Sequence, residues 1–75
     1  MNKTLKLGNW VQSAPDSGDV LSMKMLWEAR IVGIRPAQGS PDGLCYETLG
    51  WWNTESRKKD ARLRQLWRNH LVLKS

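Results

Sequence analysis

Val20-Leu21-Ser22-Met23-Lys24-Met25-Leu26-Trp27-Glu28-Ala29-Arg30-Ile31-Val32-Gly33-Ile34 is the stretch on which the fold turns. It contains the good helix formers Met23, Lys24, Met25, Leu26, Glu28, Ala29 and Arg30 and no proline, so propensity alone favours a helix. Its pattern favours a strand. Leu21, Met23, Met25, Trp27, Ala29 and Ile31 fall on one face at period two, while Ser22, Lys24, Glu28 and Arg30 fall on the other, with Leu26 the exception. Wound as a helix, the same apolar residues scatter around the axis. Sustained alternation is the stronger signal, and it predicts a strand. Fifteen residues is long for one strand, so a bend or bulge is expected within it.

Outward from this segment, turn chemistry brackets it on both sides. Ser13-Ala14-Pro15-Asp16-Ser17-Gly18-Asp19 is a cluster of turn formers and predicts a loop. Before it, Thr4-Leu5-Lys6-Leu7-Gly8-Asn9-Trp10-Val11 starts with alternation and predicts a short strand. After it, Arg35-Pro36 through Pro41-Asp42-Gly43 predicts a second loop, because proline presets φ and the following positions tolerate the left-handed region. Residues 44–52, Leu-Cys-Tyr-Glu-Thr-Leu-Gly-Trp-Trp, are rich in strand formers and would pair back on Ile31–Ile34 as a hairpin.

The tail reads differently. Asn53-Thr54 offers an N-cap and Glu55 suits the first turn of a helix. Leu63, Leu66, Trp67, His70 and Leu71 recur at helical spacing, and no Gly or Pro interrupts them. Residues 54–73 are therefore expected to form an amphipathic helix packed on a β-rich body, residues 1–53, in a single domain.

Length and composition limit the remaining choices. A chain of 75 residues carries one domain, and one this short buries roughly 60% of its unfolded surface. One Cys allows no internal disulfide, and one Cys with one His cannot supply a four-ligand zinc site, so no metal or cofactor is expected. Five Trp, one Tyr and no Phe make Trp the main core filler. Lys3 and Lys6 are not followed by an apolar run, so neither a signal peptide nor a membrane anchor is expected, and the lone thiol suits the cytoplasm.

The net charge of +5 is concentrated at one end. Residues 1–54 balance Lys3, Lys6, Lys24, Arg30 and Arg35 against Asp16, Asp19, Glu28, Asp42 and Glu47. Residues 55–75 hold Arg57, Lys58, Lys59, Arg62, Arg64, Arg68 and Lys74 against Glu55 and Asp60. On a helix, Arg57, Arg64 and Arg68 line one flank of the apolar stripe within about 40° at 100° per residue, and Lys58 and Arg62 line the other. Arginine's planar, permanently charged fork suits phosphate. Adjacent strand residues point to opposite faces, so of Trp51 and Trp52 one ring enters the core. The other is covered by the helix or exposed to stack on a base.

Catalytic chemistry has little to stand on. His70 lies on the apolar stripe and Cys45 in a strand, 25 residues apart. The acids are single loop residues, and no phosphate loop, metal triad or nucleophile elbow is present. The chain reads as a non-enzyme.

Several residues resemble known small domains. Lys6-Leu7-Gly8-Asn9-Trp10-Val11, the Gly18-Asp19 turn, Trp27-Glu28-Ala29-Arg30-Ile31-Val32-Gly33, then Pro41-Asp42-Gly43 and Tyr46-Glu47 together resemble an SH3-like β-barrel of the Tudor or KOW kind, common in small phage and plasmid proteins. Trp27-x-x-x-Ile31-Val32-Gly33, Pro41-Asp42-Gly43 and Glu47 also resemble the hairpin of plasmid-encoded type II dihydrofolate reductases. That family's folate- and NADPH-binding Val-Gln-Ile-Tyr run is replaced here by Asn53-Thr54-Glu55-Ser56, so the resemblance implies the fold and not the reductase activity. A rival resemblance, to phage excisionase winged helices, would make residues 20–32 a recognition helix and 33–49 the wing, with Lys24 and Arg30 in the major groove.

The sequence thus predicts an α+β domain, a small SH3-like antiparallel barrel with a C-terminal basic helix, and a winged helix as the alternative. The expected function is a nucleic-acid-binding accessory protein of phage or mobile-element type. Arg57, Lys58, Arg62, Arg64 and Arg68 would contact phosphates, with Trp51 or Trp52 stacking. The alternative is an interaction module for an acidic protein, and a more remote one is a reductase-like enzyme on the barrel.

Overall fold

Residues 5–14, 26–53 and 61–74 are described by a computed structural model. They form five strands: β1 (Trp10–Ser13), β2 (Trp27–Pro36), β3 (Leu44–Trp52), β4 (Arg62–Trp67) and β5 (Leu71–Leu73). A short 3₁₀ turn, Arg68–His70, joins the last two. All pairings are antiparallel, in the order β4-β3-β2-β1-β5.

The decisive stretch is extended from Trp27 onward, and its alternation sets the two faces of the sheet. Trp27, Ala29 and Ile31 are fully buried, while Arg30 and Val32 are exposed. Residues 27–32 are therefore strand, which removes the recognition helix that the winged-helix reading requires. The expected irregularity falls at Val32. Ile31 faces Thr48 and Gly33 faces Glu47, so one extra residue bulges from β2. Residues 15–25, which include most of the expected first loop, lie outside the described residues.

The β2–β3 hairpin is the frame of the molecule. Its second strand has the expected bounds, Leu44–Trp52. Pro41-Asp42-Gly43 makes the turn, with Gly43 at φ 76° and the Leu44 N–H donating to Asp42 Oδ1 at 3.0 Å. At the other end the strands approach so closely that a Cβ on Gly50 would sit 1.9 Å from the Glu28 carbonyl oxygen and 2.4 Å from Ala29 Cβ. The first strand begins later than expected: Leu7-Gly8 is a turn, fixed by Gly8 N–H on Ile31 O, and the strand is Trp10–Ser13.

The C-terminal helix is not formed by the residues described, and the fold is all-β rather than α+β. Residues 62–67 pair with β3 from Gly50↔Arg62 to Cys45↔Trp67, and residues 71–73 pair with β1. The capping residues Thr54 and Glu55 lie outside the described residues. The stripe that suggested a helix is divided among three elements. Leu66 and Leu71 are buried from two different strands, whereas Leu63 is 56% and Trp67 38% exposed. A helix would have met its own hydrogen bonds but left the edge of a nine-residue strand without a partner. Most helical stability in proteins comes from tertiary packing rather than propensity, so sheet pairing and core burial outweigh the local preference.

The core lies on one side of β2 and β3. Leu5, Val11, Trp27, Ala29, Ile31, Tyr46, Trp52, Leu66 and Leu71 form it, flanked by Ile34, Leu44 and Leu73. Trp27, Thr48 and Ser13 satisfy their buried polar atoms within it. The Trp27 Nε1–H donates to Thr48 Oγ1 at 3.0 Å, and the Thr48 hydroxyl donates to the Arg64 carbonyl at 2.8 Å. Ser13 Oγ accepts the Trp27 N–H at 2.6 Å.

Candidate functional site

Strand register assembles a row across four strands on the face opposite the core. Trp10 stands beside Arg30, Arg30 beside Leu49, and Leu49 beside Leu63. Lys74, whose N–H bonds the Trp10 carbonyl, continues the row past β1. Cross-strand neighbours lie about 5 Å apart, so these side chains form one surface. The Arg30 guanidinium lies over the Trp10 ring, 4.6 Å from its centroid. Trp10 in turn meets Trp51 edge to face at 5.7 Å and 64°. Both rings are half-buried, while Leu49 and Leu63 are 43% and 56% exposed.

The residues singled out from sequence fare unevenly. Arg57 and Lys58 lie outside the described residues. Arg62, Arg64 and Arg68 do not share flanks of a helix, since the first two belong to β4 and the third to the 3₁₀ turn. Arg62 is exposed. Arg64 lies against the core aromatics, its guanidinium 4.6 Å from the Trp52 ring and 5.2 Å from Trp27. Arg68 folds back to donate from Nη1 to the Leu71 carbonyl at 2.8 Å. Trp51 and Trp52 do divide between faces. Trp52 packs edge to face on Trp27 at 5.0 Å in the core, and Trp51 is covered by Trp10 rather than by a helix.

Trp10, Lys74, Leu49 and Leu63 were not among the residues expected to bind, and Arg30 was expected to do so only from the recognition helix of the winged-helix reading. Alternation around Arg30 placed it on the outer face. Its meeting with Trp10 depends on the β1–β2 register, which no local pattern encodes.

Electrostatically the described residues carry seven cations (Lys6, Arg30, Arg35, Arg62, Arg64, Arg68, Lys74) and three carboxylates (Glu28, Asp42, Glu47). All three carboxylates are engaged within the chain. Glu28, buried on the outer face, is paired with Lys74. Glu47 accepts from Arg35 Nε at 3.0 Å and from Gln65 at 3.4 Å, and these bonds, the Arg35 one foremost, hold its carboxyl below the usual range. Asp42 accepts the Tyr46 hydroxyl. Burial first, and then this bond to a carboxylate, push the Tyr46 hydroxyl up to about 12.

Elsewhere the chemistry is sparse. Among the described residues no three His, Cys, Asp or Glu side chains converge on a metal position. Cys45 is a half-buried free thiol. His70, in the 3₁₀ turn rather than on a helical stripe, stacks on Trp67 and accepts the Trp67 N–H through Nδ1 at 3.3 Å. An open cleft of about 410 Å³ is lined by Pro41, Arg68, Asn69, Leu71, Val72 and Leu73 and brings together no acid–base pair. Among the described residues no helix is long and apolar enough to cross a membrane. No family model, curated protein or solved structure matches the chain.

Proposed function

We propose that this is a small non-enzymatic nucleic-acid-binding protein, of SH3-like barrel type, that meets its partner through the outer face of its sheet rather than through a helix. The observation that carries the reading is the Lys74–Trp10–Arg30 row with Trp51 beside it. It joins the Arg30 cation to half-buried indoles, with Lys74 beside them held by Glu28, on a body whose described carboxylates are all engaged internally. Cations supply sequence-independent attraction to phosphates, and aromatic faces supply stacking for bases. Five short antiparallel strands with a small Trp-rich core are compatible with the barrel resemblance.

Fluorescence anisotropy with labelled 20-nucleotide single strands and 20-base-pair duplexes tests the reading. Binding is expected at 50 mM salt and should weaken steadily as salt rises. Three neutralised phosphates would give a slope of about −2 in log K against log salt on a single strand. No binding to either at 50 mM salt overturns it.

A second reading, an interaction module for an acidic protein, is favoured by Leu49, Leu63 and Val32, each more than 40% exposed. A protein partner retained at full strength after nuclease treatment, and lost in Leu63→Ser, would distinguish it.

A further inference from the structure

We propose that the outer face takes single-stranded DNA, with unpaired bases laid on the Trp10–Arg30–Leu49–Leu63 row. The inference rests on the nucleic-acid reading above and deepens it.

Three features of the row point to this ligand. The first is width. Five residues in register span four inter-strand gaps of about 4.8 Å, or about 19 Å measured along the sheet. The major groove of a duplex is about 12 Å wide and admits one helix or a two-stranded ribbon. A face this broad meets a duplex mainly through its phosphate and sugar exterior.

The second feature is the chemistry of the row. Leu49 and Leu63 make up two of its five positions and are 43% and 56% exposed. Carbon surface gains nothing against a phosphate exterior, because burying a charged oxygen against it without a hydrogen bond is costly. Against splayed bases the same surface is productive. Trp10 and Trp51 present indole edges and faces at 64° to one another, and the Arg30 guanidinium, lying over the Trp10 ring, adds a cation to the surface a base would meet. Stacking on aromatic rings and guanidinium planes is how single strands are held with little sequence preference.

The third feature separates DNA from RNA. The row's polar groups, Lys74 Nζ, Trp10 Nε1 and the Arg30 guanidinium, donate hydrogen bonds and cannot accept them, and the carboxylate beside them on this face, Glu28, is 8% exposed and held by Lys74. A ribose 2′-hydroxyl laid over Leu49 and Leu63 would lose water and find no acceptor among these groups for its proton. A deoxyribose carries only carbon at that position, and thymine adds a methyl group that suits the leucines. Phosphates would be met at the margin by Lys6, whose turn is bonded to Ile31 next to Arg30, while Lys74 is held by Glu28.

The experiment uses the full chain with fluorescein-labelled dT20, rU20 and a mixed-sequence 20-base-pair DNA duplex at 50 mM salt. The expected result is dT20 bound at least about tenfold more tightly than either other ligand. Trp10→Leu and Arg30→Gln should each weaken dT20 by about tenfold, the loss of one stacked base. Leu63→Ser, at an exposed edge position where folding is least at risk, should weaken dT20 about threefold and leave the duplex unchanged. A duplex or rU20 bound as tightly as dT20 overturns the inference while leaving nucleic-acid binding intact. So does undiminished dT20 binding by Leu63→Ser. Failure of all three ligands overturns the broader reading as well.

Discussion

The two faces of the β2–β3 hairpin carry nearly the same trio of side chains. On the inner face Trp27 and Trp52 meet at 5.0 Å and 63°, with Arg64 4.6 Å from the Trp52 ring. On the outer face Trp10 and Trp51 meet at 5.7 Å and 64°, with Arg30 4.6 Å from the Trp10 ring. What differs is burial. Trp27 and Trp52 are 0% and 4% exposed, whereas Trp10 and Trp51 are half-buried and Arg30 is exposed. The hydrophobic contribution of an aromatic ring scales with the area it removes from water, while the aromatic and cation–π terms each add about 1 kcal/mol on either face. The inner trio is therefore spent on stability, and the outer trio keeps surface in reserve for a partner.

The largest expected effect lies inside. Trp27→Ala should cost about 3–5 kcal/mol, from the cavity it leaves and from its lost hydrogen bond to Thr48. Small domains have only about 5–15 kcal/mol in total, so much of the population could unfold. Trp10→Ala should cost roughly a third as much and leave a cooperative urea transition. Equal losses in the two variants would break the comparison, because burial would then not be what separates the trios.

Gly50 tests the same contrast through the backbone. Any Cβ there runs into Glu28 O and Ala29 across β2, atoms that cannot swing aside. Gly50→Ala is expected to cost about 3 kcal/mol by overpacking and strand separation. Leu49→Ala, one residue away but pointing outward, should stay within about 1 kcal/mol by the same denaturation midpoints. A Gly50→Ala protein as stable as the parent would mean the strands are not held this closely.

The faces were legible in the sequence wherever the period-two pattern was sustained. Trp27, Ala29 and Ile31 against Glu28 and Arg30 gave β2, and alternation put one of Trp51 and Trp52 in the core without deciding which. Leu63, Leu66, Trp67, His70 and Leu71 misled because five apolar residues at helical spacing also satisfy two short strands around a three-residue turn. The choice between them was made by β3 and β1, which supply the pairing partners from far along the chain. The outer trio was hidden for the same reason. Trp10 and Arg30 are 20 positions apart, and their contact is a property of register.

A smaller effect is expected from Tyr46, whose ring is in the core and whose hydroxyl reaches out to Asp42. Tyr46→Phe should cost about 1–2 kcal/mol at neutral pH, the worth of a hydrogen bond to a carboxylate. Folding raises the hydroxyl from 10.0 to about 12. The bond's contribution is thus fully present below pH 10, where both states keep the proton. It is lost as pH rises toward about 12, because the unfolded chain ionises first. The parent–variant difference measured by urea denaturation should accordingly shrink between pH 10 and 12. A difference that stays constant across that window would show that the proton is not held by the fold.

The smallest effect belongs to the outer face again, at Arg35–Glu47, and it asks whether surface charge there contributes to stability at all. Folding lowers the Glu47 carboxyl below its ordinary 4.5, chiefly through the Arg35 bond and then through Gln65. A depressed carboxylate stabilises above its unfolded value and ceases to do so as pH falls through the folded one. Glu47→Gln should therefore be slightly less stable than the parent at pH 7, and the two should converge in acid well below pH 4.5, where the parent's own carboxyl is protonated and resembles the amide. Arg35 is 69% exposed, so the pair is screened, and 0.5 M salt should erase most of the difference at pH 7. A gap that persists both in acid and in high salt would place the effect of Glu47 in packing against Gly33, whose Cβ position its side chain occupies, rather than in charge. The outer face would then be structural at this end, and the half of it available to a partner would narrow to the Trp10–Arg30–Leu49–Leu63 row.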